Sequence, residues 1–149
     1  MLARTSRRRM YERTCMIMPF YRAGKWDVGM ATPRHSPTGR GYDTFLGYFH
    51  HANDYYNEQL PFTATGVASI CDPEYVDLWL NDGPATGMNG TGVYEEEIFR
   101  NHTLATIQKH AKMLRAGSDQ PMFLFHSFHI VHTPLEVCAN ESLCIHRVC

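Results

Sequence analysis

The sequence predicts an α/β fold with a mostly parallel sheet flanked by helices, and three observations carry that expectation. Between Val93 and Ala116, Leu104, Ile107, Ala111 and Leu114 recur at helical spacing along one face. After a short polar turn, Met122, Phe123, Leu124 and Phe125 form an unbroken apolar run of strand length, the pattern of a central parallel strand covered on both faces. A helix followed closely by a buried strand is half of a βαβ unit, which places the chain in the α/β class.

Taken in order, residues 1–22 read as a basic leader, since Arg4, Arg7, Arg8, Arg9 and Arg13 face only Glu12. That composition suits either a targeting peptide or basic arm, or a plain solvated segment. Residues 31–43 carry the Pro, Gly, Ser and Thr of a loop, and Phe45, Leu46, Tyr48 and Phe49 follow as an apolar cluster. Leu60 to Cys71 permits short strands. Tyr75 to Leu80 alternates apolar with acidic residues and precedes the turn signal Asn81-Asp82-Gly83-Pro84, so it is expected as an antiparallel strand near a sheet edge. Residues 83–92 read as a Gly-rich connector. The helix expected over 93–116 has Glu95, Glu96 and Glu97 in its first turns and Lys109, His110, Lys112 and Arg115 in its last, as the helix dipole favours, with Gly117 as a left-handed cap.

Composition narrows the function. The 149 residues are 44% hydrophobic, enough for one domain with a buried core. Fourteen Lys and Arg against fifteen Asp and Glu leave a formal charge of -1, so no global field draws the chain to nucleic acid or to an anionic membrane. Tyr42 to Tyr56 is aromatic and includes no continuous basic track, because Asp43, Asp54 and Glu58 interrupt it, which argues against base stacking on a nucleic acid. No apolar run has the length of a signal peptide or a membrane span. Five cysteines, Cys15, Cys71, Cys138, Cys144 and Cys149, are an odd set, so one thiol is free or paired with another chain in an oxidising compartment. A zinc site built from Cys138, Cys144, His146 and Cys149 fits no common finger spacing. Asn89, Asn101 and Asn140 each begin an acceptor tripeptide for N-glycosylation.

The most specific stretch is Gly24-Lys25-Trp26-Asp27-Val28-Gly29-Met30, followed by Thr38-Gly39-Arg40-Gly41-Tyr42-Asp43-Thr44-Phe45-Leu46-Gly47-Tyr48 and then Asp54-Tyr55-Tyr56. In register with it come Asp77 to Gly83, Tyr94 to Phe99, Pro121 to Phe125, and His132-Thr133-Pro134-Leu135. Over residues 23–138 these blocks resemble the sulfatase family, most closely its arylsulfatase B type. The resemblance implies part of a sulfatase catalytic domain, with an alkaline-phosphatase-like α/β sandwich. Residues 1–22 lie before it and a Cys-containing tail, 139–149, after it. A piece of such a sheet is expected to leave unpaired strand edges and uncovered apolar surface. Two positions depart from the commonest family pattern: Asp27 stands where histidine is usual, and Tyr42 where phenylalanine is.

By the same resemblance, Lys25 matches the lysine beside the catalytic aldehyde and the substrate sulfate, and His132 matches a histidine that donates a hydrogen bond to the sulfate. Both suit the chemistry. An ammonium offsets negative charge as the S–O bond breaks, and an imidazole can donate to a developing oxyanion near neutral pH. His126 and His129 are read as polar lining or packing at the strand end. Asp27 is an altered third site position: an ionised carboxylate only accepts hydrogen bonds and repels sulfate. It is therefore protonated, or paired with Lys25, or suited to a different ester.

The family's formylglycine, made from cysteine in a cysteine-x-proline/serine-x-arginine motif, has no match here. Cys71-Asp72-Pro73 is followed by Glu74 and Tyr75 and has no arginine in place. The acidic and asparagine ligands of the family's calcium ion are unmatched too. Without the hydrated aldehyde there is no nucleophile, and without calcium no Lewis acid, so these residues alone are expected to be inactive. The implied function is a fragment of a sulfuric ester hydrolase whose intact form acts on sulfate monoesters of a sulfated small molecule or glycan. The resemblance also favours a lysosomal or extracellular parent. Two rivals stand beside it: a non-catalytic truncated product that at most binds sulfated glycans, and a phosphodiesterase of the same superfamily.

Overall fold

The computed structural model describes residues 18–51, 53–59, 76–88 and 92–132. The short strands expected over 60–71, all five cysteines, Asn89, Asn140 and the 139–149 tail lie outside the described residues, as does most of the basic leader.

One five-stranded sheet organises the described chain. Its strands are β1 (Phe20–Gly24), β2 (Thr44–Gly47), β3 (Trp79–Leu80), β4 (Gly83–Pro84) and β5 (Phe123–Ser127), in the spatial order β4-β3-β2-β1-β5. β1 pairs in parallel with β2 on one side and with β5 on the other. The β3–β4 hairpin adds two antiparallel strands to the β2 side. The expected antiparallel strand near an edge is thus present, shortened to Trp79–Leu80, while Val76 makes only an isolated bridge to Gln59. Gly83 and Pro84, expected as connector, form β4 instead. Phe20, Tyr21 and Arg22, which the sequence leaves in the basic leader, begin β1, an interior strand of the sheet.

The single helix among the described residues, α1 (Glu95–Arg115), packs on β1 and β2. Between it and the sheet lies a core of Leu46, Tyr48, Leu78, Ala85, Ile98 and Phe99. A second cluster, Trp26, Phe45 and Phe49 with Tyr42 and Trp79 against it, packs the loop that follows β1. Two short 3-10 turns, Pro33–His35 and Thr38–Arg40, compact that loop.

Two expectations need correction. β5 is not covered on both faces. Among the described residues it forms the outer strand, and Phe123 and Phe125 are about two-fifths exposed beside the similarly exposed Phe20. The helix also turns a different face to the sheet. Leu104, Ile107 and Leu114 are exposed, whereas Ile98, Phe99 and His110 are buried. At 100° per residue the buried row lies about a third of a turn from the apolar row that set the expectation. The physical reason is visible in the partners: Phe99 stacks on Tyr48, and Thr103 Oγ1 meets His126 Nδ1 at 2.7 Å. Aromatic packing and a partly buried polar pair go with this rotation, and aliphatic periodicity does not report them.

Candidate functional site

β1 ends in a glycine for two reasons. Gly24 has φ 86°, in the left-handed region, and a Cβ on it would lie 1.9 Å from the Ser127 carbonyl oxygen. That close approach lets the Lys25 N–H donate to Ser127 O at 3.1 Å, so the join between β1 and β5 continues past the strand ends. Trp26 then buries its indole, whose N–H donates to the carbonyls of Gly29 at 2.8 Å and His35 at 3.0 Å. Arg22 braces the same turn from beneath. Its guanidinium lies 4.7 Å above the Trp26 ring and 4.4 Å above Phe125, and Nη2 donates to Lys25 O at 2.6 Å.

The Lys25 side chain leaves this turn partly covered. Nζ donates to His51 O at 2.6 Å and lies 3.6 Å from Asp27 Oδ2, whose side chain is 55% exposed. Of the options open for Asp27, the geometry realises pairing with Lys25. Asp27 also sits at φ 50°, a conformation that aspartate tolerates better than bulkier residues.

Beyond β5 come the three histidines. His126 points to α1 through Thr103, and His129 is buried in a polar cluster under the start of α1. His132 is half-buried, its ring centroid 5.7 Å from that of His129. Tyr55 Oη donates to the His132 carbonyl at 3.2 Å. Lys25 and His132 therefore follow the carboxyl ends of two adjacent parallel strands. Asn101 lies exposed on α1, away from both.

The sequence did not single out the cluster under α1 as functional. Glu95 and Glu96 read as ordinary helix-dipole acids, yet both are buried. Glu95 Oε2 lies 2.7 Å from His129 Nδ1, and Glu95 Oε1 accepts from Asn53 Nδ2 at 3.1 Å. Asn53 also donates to Asp77 O at 3.0 Å. Asp77, wholly buried, accepts through Oδ2 from the backbone N–H groups of Phe49 and His50 and contacts His50 Nδ1 at 2.6 Å. That hydrogen bond holds the His50 imidazole above its ordinary value of 6.5. Burial pushes the Tyr48 phenol far up, so it stays protonated. The available signal was placement: acids in an N-terminal turn lie near whatever segment passes above that turn.

Among the described residues no group of three or more His, Cys, Asp or Glu could hold a metal ion. No helix among them is long and apolar enough to cross a membrane.

The sheet with the helix packed on it makes a mixed α/β fold, and the chain resembles arylsulfatases in sequence. In sequence it is similar to Arylsulfatase J of Mus musculus, 28% identical over 113 residues that make up 76% of this chain and 17% of that protein. In structure it resembles Ps i-CgsB, with a TM-score of 0.61 at 22% identity over 88% of this chain and 27% of that one. Ps i-CgsB in complex with k-i-k-neocarrahexaose gives a TM-score of 0.58 at 23% identity over 82% of this chain and 26% of that one. No protein-family model matches the chain. The chain thus spans a small part of the length of each relative.

Proposed function

We propose that this chain carries the sulfate-recognition part of a sulfuric ester hydrolase, with Lys25 and His132 as the groups that bind the sulfate and Asp27 tempering Lys25. One observation supports the reading. β1 and β5 run parallel in unbroken register from Phe20↔Phe123 to Gly24↔Ser127, so the segments that follow them, with Lys25 directly after β1 and His132 five residues after β5, start from the same carboxyl edge. Open α/β sheets bind their ligands at that edge. There an ammonium and an imidazole N–H match the charge and the acceptor oxygens of a sulfate ester.

In an intact relative this recognition would serve hydrolysis of sulfate monoesters, with formylglycine as nucleophile. This sequence has no cysteine-x-proline/serine-x-arginine motif, so the chain by itself binds without turnover. A saccharide ligand is supported by the neocarrahexaose complex of the structural relative. Titration calorimetry tests the reading with an aryl sulfate, with k-i-k-neocarrahexaose, and with the desulfated form of each. Binding should require the sulfate, and Lys25→Ala and His132→Ala should each weaken it by about tenfold or more, the loss expected for one charge-assisted hydrogen bond. Equal binding of the desulfated ligands, or unchanged affinity in both variants, would overturn it.

A further inference from the structure

We infer that Glu96 and Tyr55 are positioning residues for His132, holding the backbone of residues 129–132 so that its imidazole is presented at the carboxyl edge of the sheet. The inference rests on the reading of His132 as a sulfate ligand and extends it to the groups that aim that ligand.

The contacts are directed at backbone. Glu96 Oε1 accepts from the N–H of His129 in a very short hydrogen bond and from the N–H of Ile130 at 3.3 Å. Its other oxygen lies 3.9 Å from His126 Nε2. A carboxylate taking two successive N–H groups fixes both peptide planes, and charge-assisted hydrogen bonds of this kind are stronger than neutral ones. From the other side, Tyr55 Oη donates to the carbonyls of His129 at 3.4 Å and His132 at 3.2 Å. Segment 129–132 is thus held by an acceptor on its N–H groups and a donor on its carbonyls.

The holders are themselves held. Tyr55 stacks between His129, with ring centroids 4.0 Å apart, and Tyr94, at 5.2 Å. Its carbonyl accepts from the Glu95 N–H at 2.7 Å, which ties it to the first turn of α1. Glu96 belongs to that turn, and α1 packs on β1, the strand that ends at Lys25. Both proposed sulfate ligands are therefore referred to one rigid element. Precision of this kind matters because a binding group misplaced by about 1 Å loses much of its effect.

The test uses the full chain labelled with 15N, comparing wild type with Glu96→Ala, Glu96→Gln and Tyr55→Phe. Tyr55→Phe keeps the ring stack and removes only the donor. In Glu96→Ala and Tyr55→Phe the imidazole resonances of His132 should move and amide exchange at His129 and Ile130 should quicken by about tenfold or more. The signals of His50, paired with Asp77, should stay in place and report an intact fold. Glu96→Gln keeps an acceptor oxygen and should recover most of the wild-type pattern. Affinity for k-i-k-neocarrahexaose should fall by about tenfold in the two disruptive variants. Should Glu96→Ala fail to fold, Tyr55→Phe decides alone. Unchanged His132 resonances and exchange would overturn the inference. Absence of any ligand binding in the wild type would overturn the sulfate reading instead, and the ligand-free His132 signals would still judge the positioning.

Discussion

His129 Nδ1 lies 2.7 Å from Glu95 Oε2, and both side chains are shut off from solvent. The Glu95 carboxyl is thus enclosed in the polar cluster under α1, and its protonation makes that cluster sensitive to pH. Burial pushes the Glu95 carboxyl up to about 8, with Glu96, Asp77 and Asp54 adding to the rise and the Asn53 hydrogen bond opposing it.

Stability should therefore fall as pH rises. The Glu95 value lies above its ordinary 4.5, so between about 4.5 and 8 the folded chain binds more protons than the unfolded one. His50 acts in the same direction: raised by the Asp77 hydrogen bond, its contribution is complete below 6.5 and is lost as pH passes the raised value. Urea unfolding midpoints should decline from about pH 5 to about pH 9, and Glu95→Gln should flatten the curve. A midpoint that climbs over this range would contradict the burial of Glu95.

The rotation of α1 can be read from two alanine substitutions. Phe99 is wholly buried against Tyr48, so Phe99→Ala should cost about 3–5 kcal/mol. Leu104 is 47% exposed, so Leu104→Ala should cost less than about 1 kcal/mol. Denaturant unfolding of the two variants compares them directly, and similar losses would mean that the aliphatic row faces the sheet after all.

Gly24 and Gly41 both have positive φ, at 86° and 105°, but only Gly24 is crowded. A Cβ at Gly24 meets Ser127 O, whereas one at Gly41 meets nothing within 4 Å. Gly41→Ala should thus pay only the left-handed penalty of about 1–2 kcal/mol, and Gly24→Ala about 3 kcal/mol or more, because the β1–β5 join must open. Thermal unfolding measures the difference, and equal effects would place Ser127 away from Gly24.

Much of the architecture is legible in the linear order of residues. The helix over 95–115, the parallel strand that follows it and the antiparallel strand beside the Asn81 turn all stand close to their expected places. Periodicity and turn chemistry are local properties, and neighbours in sequence report them. The interior strand β1 was less visible, because Phe20-Tyr21-Arg22 mixes aromatic and charged residues like a leader. Arg22 is buried there with Trp26, Tyr42 and Phe125 around its guanidinium, and Tyr42 and Phe125 come from distant parts of the chain.

By itself the sequence determined the α/β class and the likeness to sulfatases, since residue types and their order carry that information, and that likeness is what points to Lys25, Asp27 and His132. Tertiary structure decided the rest: which face of α1 meets the sheet, and that Glu95, Glu96 and Tyr55 contact the His129–His132 segment. The reason is distance along the chain. A hydrogen bond between residues dozens of positions apart depends on how elements pack, and packing is a property of the assembled core rather than of any local window.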